Sequence, residues 1–110
     1  MRLLLLLAFL SVAVADVSDD DNIPIKCYVC DSTKDSRCAD PFNRPADLLV
    51  TCPGEYSCVK KKFRYPDSIE RCCSCNVTDT RLGCCAKHDR LAYKNSYCFA
   101  DGCNGSNLEF

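Results

Sequence analysis

Twelve cysteines in a chain of 110 residues constrain its fold more than any other feature of the sequence. Five of them fall within fourteen residues, in the stretch CCSCNVTDTRLGCC from Cys72 to Cys85. Cysteines crowd together in metal sites, in catalytic sites and in the disulfide scaffolds of secreted proteins. The compartment in which the chain folds decides among these, and the N-terminus predicts that compartment.

The N-terminus is typical of a secretory signal peptide. Arg2 precedes an apolar run over residues 3–14, and the small residues Ala13 and Ala15 form an A-x-A cleavage site. The run is shorter than the ~20 apolar residues that a membrane-spanning helix needs. We therefore predict that residues 1–15 are removed and that the protein is secreted into an oxidising extracellular environment.

The cysteine content then predicts a disulfide scaffold rather than a zinc site. All 12 cysteines lie in the 95 residues after the cleavage site, above the roughly 8–10% that marks small disulfide-rich chains. A small domain buries too little apolar surface to offset its chain entropy, and each bridge stabilises it by typically ~2–4 kcal/mol. Zinc would need spaced ligand pairs, and His88 is the single histidine. We expect no metal and no cofactor.

The formal net charge of −1 gives no electrostatic reason to expect nucleic-acid binding. The charge is nevertheless uneven along the chain. Residues 16–58 carry four basic and nine acidic side chains, a net charge of −5. Residues 59–71 carry five basic and two acidic side chains, a net charge of +3. This basic segment is the sequence's own indication of a partner surface.

The pattern of the mature chain predicts strands rather than helices. Residues 16–24 form an acidic N-terminal segment with few apolar side chains, and ordered structure is expected from Ile25, where IKCYVCD alternates apolar and polar residues. A turn-rich stretch follows, and residues 48–51 predict a returning strand.

The second half of the chain predicts a hairpin and one more excursion. Residues 57–64 and 69–72 form the two arms of the hairpin, with the reversal at YPDS, and residues 83–103 hold the third excursion. No helical periodicity longer than about two turns follows the signal peptide. The predicted fold class is therefore a single small, disulfide-rich, all-β domain.

Both ends of the cysteine pattern have a specific spacing. The chain opens with Cys27, two residues and Cys30, and it closes with Cys98, four residues, Cys103 and Asn104. These features resemble the lymphocyte-antigen/urokinase-receptor (UPAR-like) superfamily of three-finger domains. The stretch DSRCADPFN narrows the resemblance to the insect single-domain branch that resembles quiver and sleepless. The resemblance implies a three-finger (snake-toxin-like) domain over residues 25–105 and a short tail over residues 106–110.

The resemblance also implies a disulfide pairing, from which this chain departs because Tyr97 stands where the family has another cysteine. The family pattern leaves Cys73, Cys75, Cys84 and Cys85 to form two further bridges. Geometry disfavours a bridge between the neighbours Cys84 and Cys85. The 73/75 pair is expected to join the 84/85 pair in either arrangement, or Cys73 replaces Cys72 opposite Cys52. The implied bridges are Cys27–Cys58, Cys30–Cys38, Cys52–Cys72 and Cys98–Cys103, with Cys73, Cys75, Cys84 and Cys85 forming the other two.

Two asparagines have predicted roles, one from the family resemblance and one from a glycosylation sequon. The resemblance implies that Asn104 has a structural role, because the family uses this asparagine to tie the final loop to the palm. Asn104 also opens an NGS sequon, but Asn76, in an NVT sequon within a polar loop, is the better candidate for glycosylation.

The stretch CCAKHDRLAY resembles the C-C-x-x-H-D-x-C-Y motif of secreted phospholipases, in which the histidine activates water and the aspartate helps to hold calcium. Leu91 replaces the next cysteine of that motif, and no glycine-rich calcium loop precedes it. The 21 residues after Asp89 are too few for a second long helix and an orienting carboxylate. A calcium site needs 6–8 oxygens. We therefore expect no enzymatic activity and interpret His88 and Asp89 as a solvent-facing pair.

The resemblance implies a non-catalytic extracellular module that binds a membrane protein. The favoured partner is a neuronal ion channel or receptor, either a Shaker-type potassium channel or a nicotinic receptor, in regulation of sleep or excitability. The alternative is a junction protein, in septate-junction assembly or membrane-protein trafficking, and a toxin-like secreted ligand comes third. No small-molecule substrate is expected.

Strand alternation divides the basic segment between two sides of the hairpin. Lys60, Lys62 and Arg64 would line one side, and Lys61, Phe63 and Tyr65 the other side near the tip. The alternative is that these charges only keep an exposed hairpin soluble. The predicted partner contacts are Lys60, Lys62, Phe63, Arg64 and Tyr65.

Anchored relatives end in a polar spacer and a hydrophobic tail of ~10–20 residues that is exchanged for a glycolipid. Here NGSNLEF follows Cys103. The sequence as given predicts a secreted protein that meets a membrane through its partner. A longer or alternatively spliced form would restore a glycolipid anchor and a cell-surface location.

Overall fold

The computed structural model describes residues 23–76 and 78–107, so the predicted signal peptide and most of the acidic segment lie outside the described residues. Three short 3-10 turns, at Ser36–Cys38, Ala46–Leu48 and Cys103–Gly105, accompany the strands. Within the described ranges, no helix has the length and apolar character needed to cross a membrane. Six strands form the framework: β1 Lys26–Tyr28, β2 Cys30–Asp31, β3 Leu49–Thr51, β4 Cys58–Phe63, β5 Ser68–Cys73 and β6 Lys94–Cys98.

The strands form two antiparallel sheets. One pairs β1 with β3, and the other has the order β2-β5-β4-β6. Finger one is the loop between β1 and β3, finger two is the β4–β5 hairpin, and finger three runs from residue 74 to the end of β6. The structure confirms the predicted fold class, a small disulfide-rich all-β domain with three fingers. In the third finger only the returning arm is a strand.

The hairpin of finger two presents two faces with different neighbours. Its turn spans residues 64–67, between arms that pair from Cys58 with Cys73 to Phe63 with Ser68. Lys60 lies opposite Arg71 and Lys61 opposite Glu70. Since side chains alternate along a strand, the first pair lies on one face and the second pair on the other. We call the face of Lys60 and Arg71, toward finger one, the front face, and the face of Lys61 and Glu70, toward finger three, the back face.

All twelve cysteines are paired. The structure contains the bridges Cys27–Cys58, Cys30–Cys38 and Cys98–Cys103, which the family resemblance implied. The implied bridge Cys52–Cys72 is wrong, because Cys52 joins Cys73, which is the alternative that the sequence left open. The remaining cysteines form Cys72–Cys85 and Cys75–Cys84.

Strand alternation explains why Cys73, and not its neighbour Cys72, forms the bridge with Cys52. Cys73 lies on the front face of β5, where it joins Cys27, Cys52 and Cys58 in a buried cluster at the base of the fingers. Cys72 lies on the back face beside finger three and therefore meets Cys85. The cysteine-rich stretch Cys72–Cys85 thus connects β5 to finger three on one side and to finger one on the other.

The corrected pairing predicts the result of removing one bridge. Replacing Cys72 and Cys85 by serine together should leave no free thiol, because the other ten cysteines keep their partners. Thiol alkylation of the secreted, denatured and unreduced variant measures this. If Cys52 were bonded to Cys72 instead, the same double variant would expose alkylatable cysteines.

Candidate partner-binding surface

The tips of fingers two and three are joined by one arginine. Arg90 of finger three donates through Nη1 to the backbone oxygens of Arg64 and Pro66, at 2.9 and 3.1 Å. Its Nη2 donates to Ser68 Oγ at 3.2 Å, and its guanidinium lies 4.8 Å from the centre of the Phe63 ring. A guanidinium suits this position because its planar fork can serve several acceptors while stacking on a ring. The two tips therefore form one continuous surface.

Apolar side chains project from this surface into solvent. Tyr65 of finger two is 90% exposed, and Leu91 and Tyr93 of finger three are 95% and 51% exposed. The guanidinium of Arg64 lies 4.1 Å from the centre of the Tyr93 ring, which adds a second contact between the fingers. We call Arg64, Tyr65, Leu91 and Tyr93 the joint tip.

Two of the five predicted contact residues cannot reach a partner. Lys60 is 2% exposed and Phe63 is 3% exposed, so the prediction that they contact a partner is wrong. Phe63 is covered by finger three, where the His88 ring lies 4.7 Å away and Arg90 stacks on it. Lys62 is half-buried on the front face, and Arg64 and Tyr65 are exposed at the turn.

Lys60 belongs instead to a buried charge network on the front face. Asp40 of finger one accepts hydrogen bonds from Lys60 Nζ at 2.9 Å and from Arg71 Nη2 at 2.7 Å. Arg71 is fully buried, its guanidinium stacks 4.0 Å from the centre of the Phe42 ring, and its Nε and Nη1 find no hydrogen-bond partner in the described structure. One carboxylate therefore balances two buried cations.

The network displaces the pKa values of all three side chains, and burial lowers that of Arg71. Burial raises the pKa of Asp40, but hydrogen bonds and charge from Lys60 and Arg71 outweigh burial and hold the pKa below its ordinary 3.8. Burial lowers the pKa of Lys60 from its ordinary 10.5, and the attraction of Asp40 only partly offsets that. The network thus consists of charged groups that contribute to folding and are withheld from the surface.

The family comparison agrees with this geometry. The model of the Quiver family u-PAR/Ly-6-like domain matches residues 25–104, which run from just before β1 to Asn104. The chain belongs to this family. Domains of this family are small extracellular or cell-surface binding modules, generally without enzymatic activity, and they typically bind membrane proteins. No significant match was found among curated proteins or among solved structures.

The structure gives physical roles to the DSRCADPFN stretch of this Quiver-family domain. Asp35 caps the 3-10 turn by accepting from the backbone of Arg37, whose side chain also bonds Asp47. Asp40 holds the buried cations, and Phe42 packs edge-on against Tyr28 with ring centres 5.0 Å apart. The stretch is therefore a folding element of finger one, and sequence reasoning recorded the pattern without finding these contacts.

Asn104 joins the final loop to two strands. It is fully buried, its Oδ1 accepts from the backbone N–H of Tyr28 at 2.9 Å, and its Nδ2 donates to the carbonyls of Tyr28 and Val59 at 2.9 and 3.0 Å. Buried amides are stable only when their donors and acceptors are paired, and these are. The expected structural role of Asn104 matches these contacts, and its burial leaves no room for a glycan.

His88 does not form the solvent-facing pair with Asp89 that the sequence suggested. Its Nε2 lies 2.9 Å from Oε1 of Glu70, a buried residue of β5, and Glu70 Oε2 accepts from the backbone N–H of Ala86 at 2.9 Å. Glu70 therefore fastens finger three to the back face. Among the described residues, four clusters of cysteine and acidic side chains have atoms close enough to surround a metal ion. Every cysteine in these clusters is disulfide-bonded, so its sulfur is not a thiolate ligand.

Asn76 is exposed near the start of finger three, so its sequon remains the better glycosylation candidate. We expect enzymatic removal of N-glycans to lower the mass of the secreted protein. The variant Thr78→Ala, which destroys the sequon and leaves Asn76 in place, should show no such change. Mass spectrometry measures both, and an unchanged mass for the parent chain would exclude a glycan at Asn76.

Proposed function

We propose that this Quiver-family domain binds an ion channel or receptor in the neuronal membrane through the joint tip and thereby modulates excitability. The observation that carries the proposal is the exposure of Tyr65, Leu91 and Tyr93 on one surface formed by two fingers. Aromatic and arginine side chains are the residue types that contribute most at protein interfaces.

The joint tip is also rigid, which favours it as a binding surface. Arg90 and the Arg64–Tyr93 contact hold the two turns together, and the backbone N–H of Tyr93 donates to the carbonyl of Lys62 at 2.9 Å. A surface that is ordered before binding loses less conformational entropy when a partner arrives. The solubility interpretation of the hairpin does not explain why finger three is fastened to it.

Arg64 is the charged member of the joint tip and favours a carboxylate on the partner. Lys60 and Arg71, two of the five basic side chains of residues 59–71, are buried against Asp40 and contribute to folding. Of the other three, Arg64 at the turn is exposed, and Lys61 and Lys62 are half-buried. An extracellular channel or receptor loop that carries carboxylates beside apolar side chains would complement this surface.

The test is the current through a Shaker-type potassium channel in cells with and without this protein. A change in amplitude or gating is the expected result, because a module bound to the extracellular side alters the relative stability of channel states. A changed amount of channel at the cell surface with unaltered gating would favour the trafficking alternative. Normal current and normal surface amount, also with a nicotinic receptor in place of the channel, would contradict the proposal and leave junction assembly.

A further inference from the structure

We propose that the cleft between finger three and the back face of the sheet binds a small amphipathic anion, a carboxylate carried on a medium-length alkyl chain. This inference goes beyond the proposed function and depends on other charged side chains, although Leu91 belongs to both surfaces. We call this space the back cleft. Its volume is about 540 Å³, within the range of roughly 300–1,000 Å³ that is usual for small-ligand sites.

The charges that line the back cleft have a single sign. Lys61, Lys87, His88 and Arg90 contribute basic groups, and among the described residues no acidic side chain lines it. Glu70 lies behind His88, and both of its oxygens are already bonded, one to His88 and one to the backbone of Ala86. An anion that enters the cleft therefore meets cations without meeting a free carboxylate.

Two of the four basic groups are available to a ligand. Arg90 is committed to the turn of finger two and His88 to Glu70. Among residues 23–76 and 78–107, no hydrogen bond or ion pair engages the ammonium groups of Lys61 and Lys87. Lys61 projects from β4 and Lys87 from finger three, so an anionic head group between them would be held from both walls.

The remaining lining provides a place for an alkyl chain. Leu91, Ala86 and Ala92 of finger three line the cleft, and Phe63 lies beneath its basic groups His88 and Arg90. Leu91 is 95% exposed, so contact with an apolar chain would remove its side chain from water. The cleft thus places cationic groups beside an apolar wall, as a site for an amphipathic anion requires.

The experiment is a titration of the secreted full chain with dodecanoate. The Thr78→Ala variant serves as the parent, because it prevents a glycan at Asn76, which also lines the cleft. Methyl NMR signals of Ala86, Leu91 and Ala92 should shift saturably with dodecanoate. Dodecyltrimethylammonium, which has the same chain and the opposite charge, should not shift them saturably.

A pair of matched variants assigns the charge dependence. Lys61→Gln with Lys87→Gln should weaken dodecanoate binding about tenfold or more, which corresponds to ~1.4 kcal/mol. Lys26→Gln with Lys34→Gln removes two exposed lysines outside the cleft and should leave the affinity unchanged.

Three results would overturn the inference. These are the absence of saturable shifts at the cleft methyls, equal binding of the cationic detergent, and equal affinity in the Lys61/Lys87 variant and its control. Any of them leaves the joint tip untouched, because the current measurement does not depend on Lys61 or Lys87. Loss of channel modulation would likewise leave the dodecanoate titration standing.

Discussion

Replacing Asp40 with alanine is expected to lower the free energy of unfolding by about 3–5 kcal/mol, because it leaves two buried cations without a counter-charge. Lys60 and Arg71 are 2% and 0% exposed at their side chains, and Asp40 is the one carboxylate bonded to both. Arg71 already has two unpaired buried N–H groups, so the loss of its remaining partner would leave the guanidinium uncompensated. Urea unfolding with the disulfides intact measures the change.

Asp47→Ala provides a matched control. Asp47 also accepts from an arginine, Arg37 at 3.0 Å, but both side chains are about half exposed or more. Because solvent screens both groups, such a surface pair has little effect on stability. Equal losses of stability in the two variants, or a loss below 1 kcal/mol for Asp40→Ala, would contradict the assignment of Asp40 to a folding network.

Acid should weaken the same network. Since the pKa of Asp40 in the folded protein lies below its ordinary 3.8, folding favours the ionised carboxylate. The resulting stabilisation is fully present above about pH 4 and is lost as the pH falls through the lower folded pKa. The free energy of unfolding should therefore decrease on acidification below about pH 4, and Asp40→Asn should remove part of that decrease.

The alternation of strands predicted some of the fold and site correctly. It located the finger-two hairpin within a residue or two at each arm, and it separated Lys60, Lys62 and Arg64 from Lys61, Phe63 and Tyr65. Alternation does not reveal which segment covers each side. Asp40, twenty residues before Lys60, covers the front face, and finger three covers Phe63. For that reason, the prediction that Lys60 and Phe63 contact a partner was wrong.

The wrong prediction of the bridge Cys52–Cys72 has a similar origin. Cys72 and Cys73 point to opposite faces of β5, and this much follows from the period of a strand. The family resemblance alone assigned Cys72 to Cys52. The position of Cys52 at the base of finger one, next to Cys27 and Cys58, decides in favour of Cys73 and depends on tertiary structure.

The sequence predicted two of the four residues of the joint tip, Arg64 and Tyr65. Arg64 ends the predicted first arm and Tyr65 opens the predicted turn. Leu91 and Tyr93 join them because Arg90 bonds the turn 24 to 26 residues before it. A long-range contact of this kind has no local pattern. In the sequence, Leu91 and Tyr93 stand two residues apart at the end of a polar stretch, and this spacing was the available signal for an apolar patch.

Removing the apolar side chains of the joint tip is expected to abolish the effect on the partner while preserving the fold. Tyr65→Ala with Leu91→Ala deletes two side chains that are 90% and 95% exposed, so neither contributes much to the core. At an interface, buried aromatic and aliphatic anchors commonly contribute more than about 1 kcal/mol each. The double variant should therefore bind at least about tenfold more weakly.

The chain offers a closely matched control at a different place. Leu82 and Phe99 are 80% and 81% exposed and lie outside the joint tip. The pair Leu82→Ala and Phe99→Ala removes one leucine and one aromatic ring, as the tip variant does. Any difference between the two double variants then reports the position of the side chains rather than their chemistry.

The decisive measurement compares these two double variants with the parent chain in the Shaker-type potassium channel assay, at equal amounts of secreted protein. We expect the control to change the current as the parent does, and we expect the Tyr65/Leu91 variant to leave it unchanged. A Tyr65/Leu91 variant as effective as the parent, or a control that loses the effect equally, would contradict the claim that fingers two and three bind the partner together.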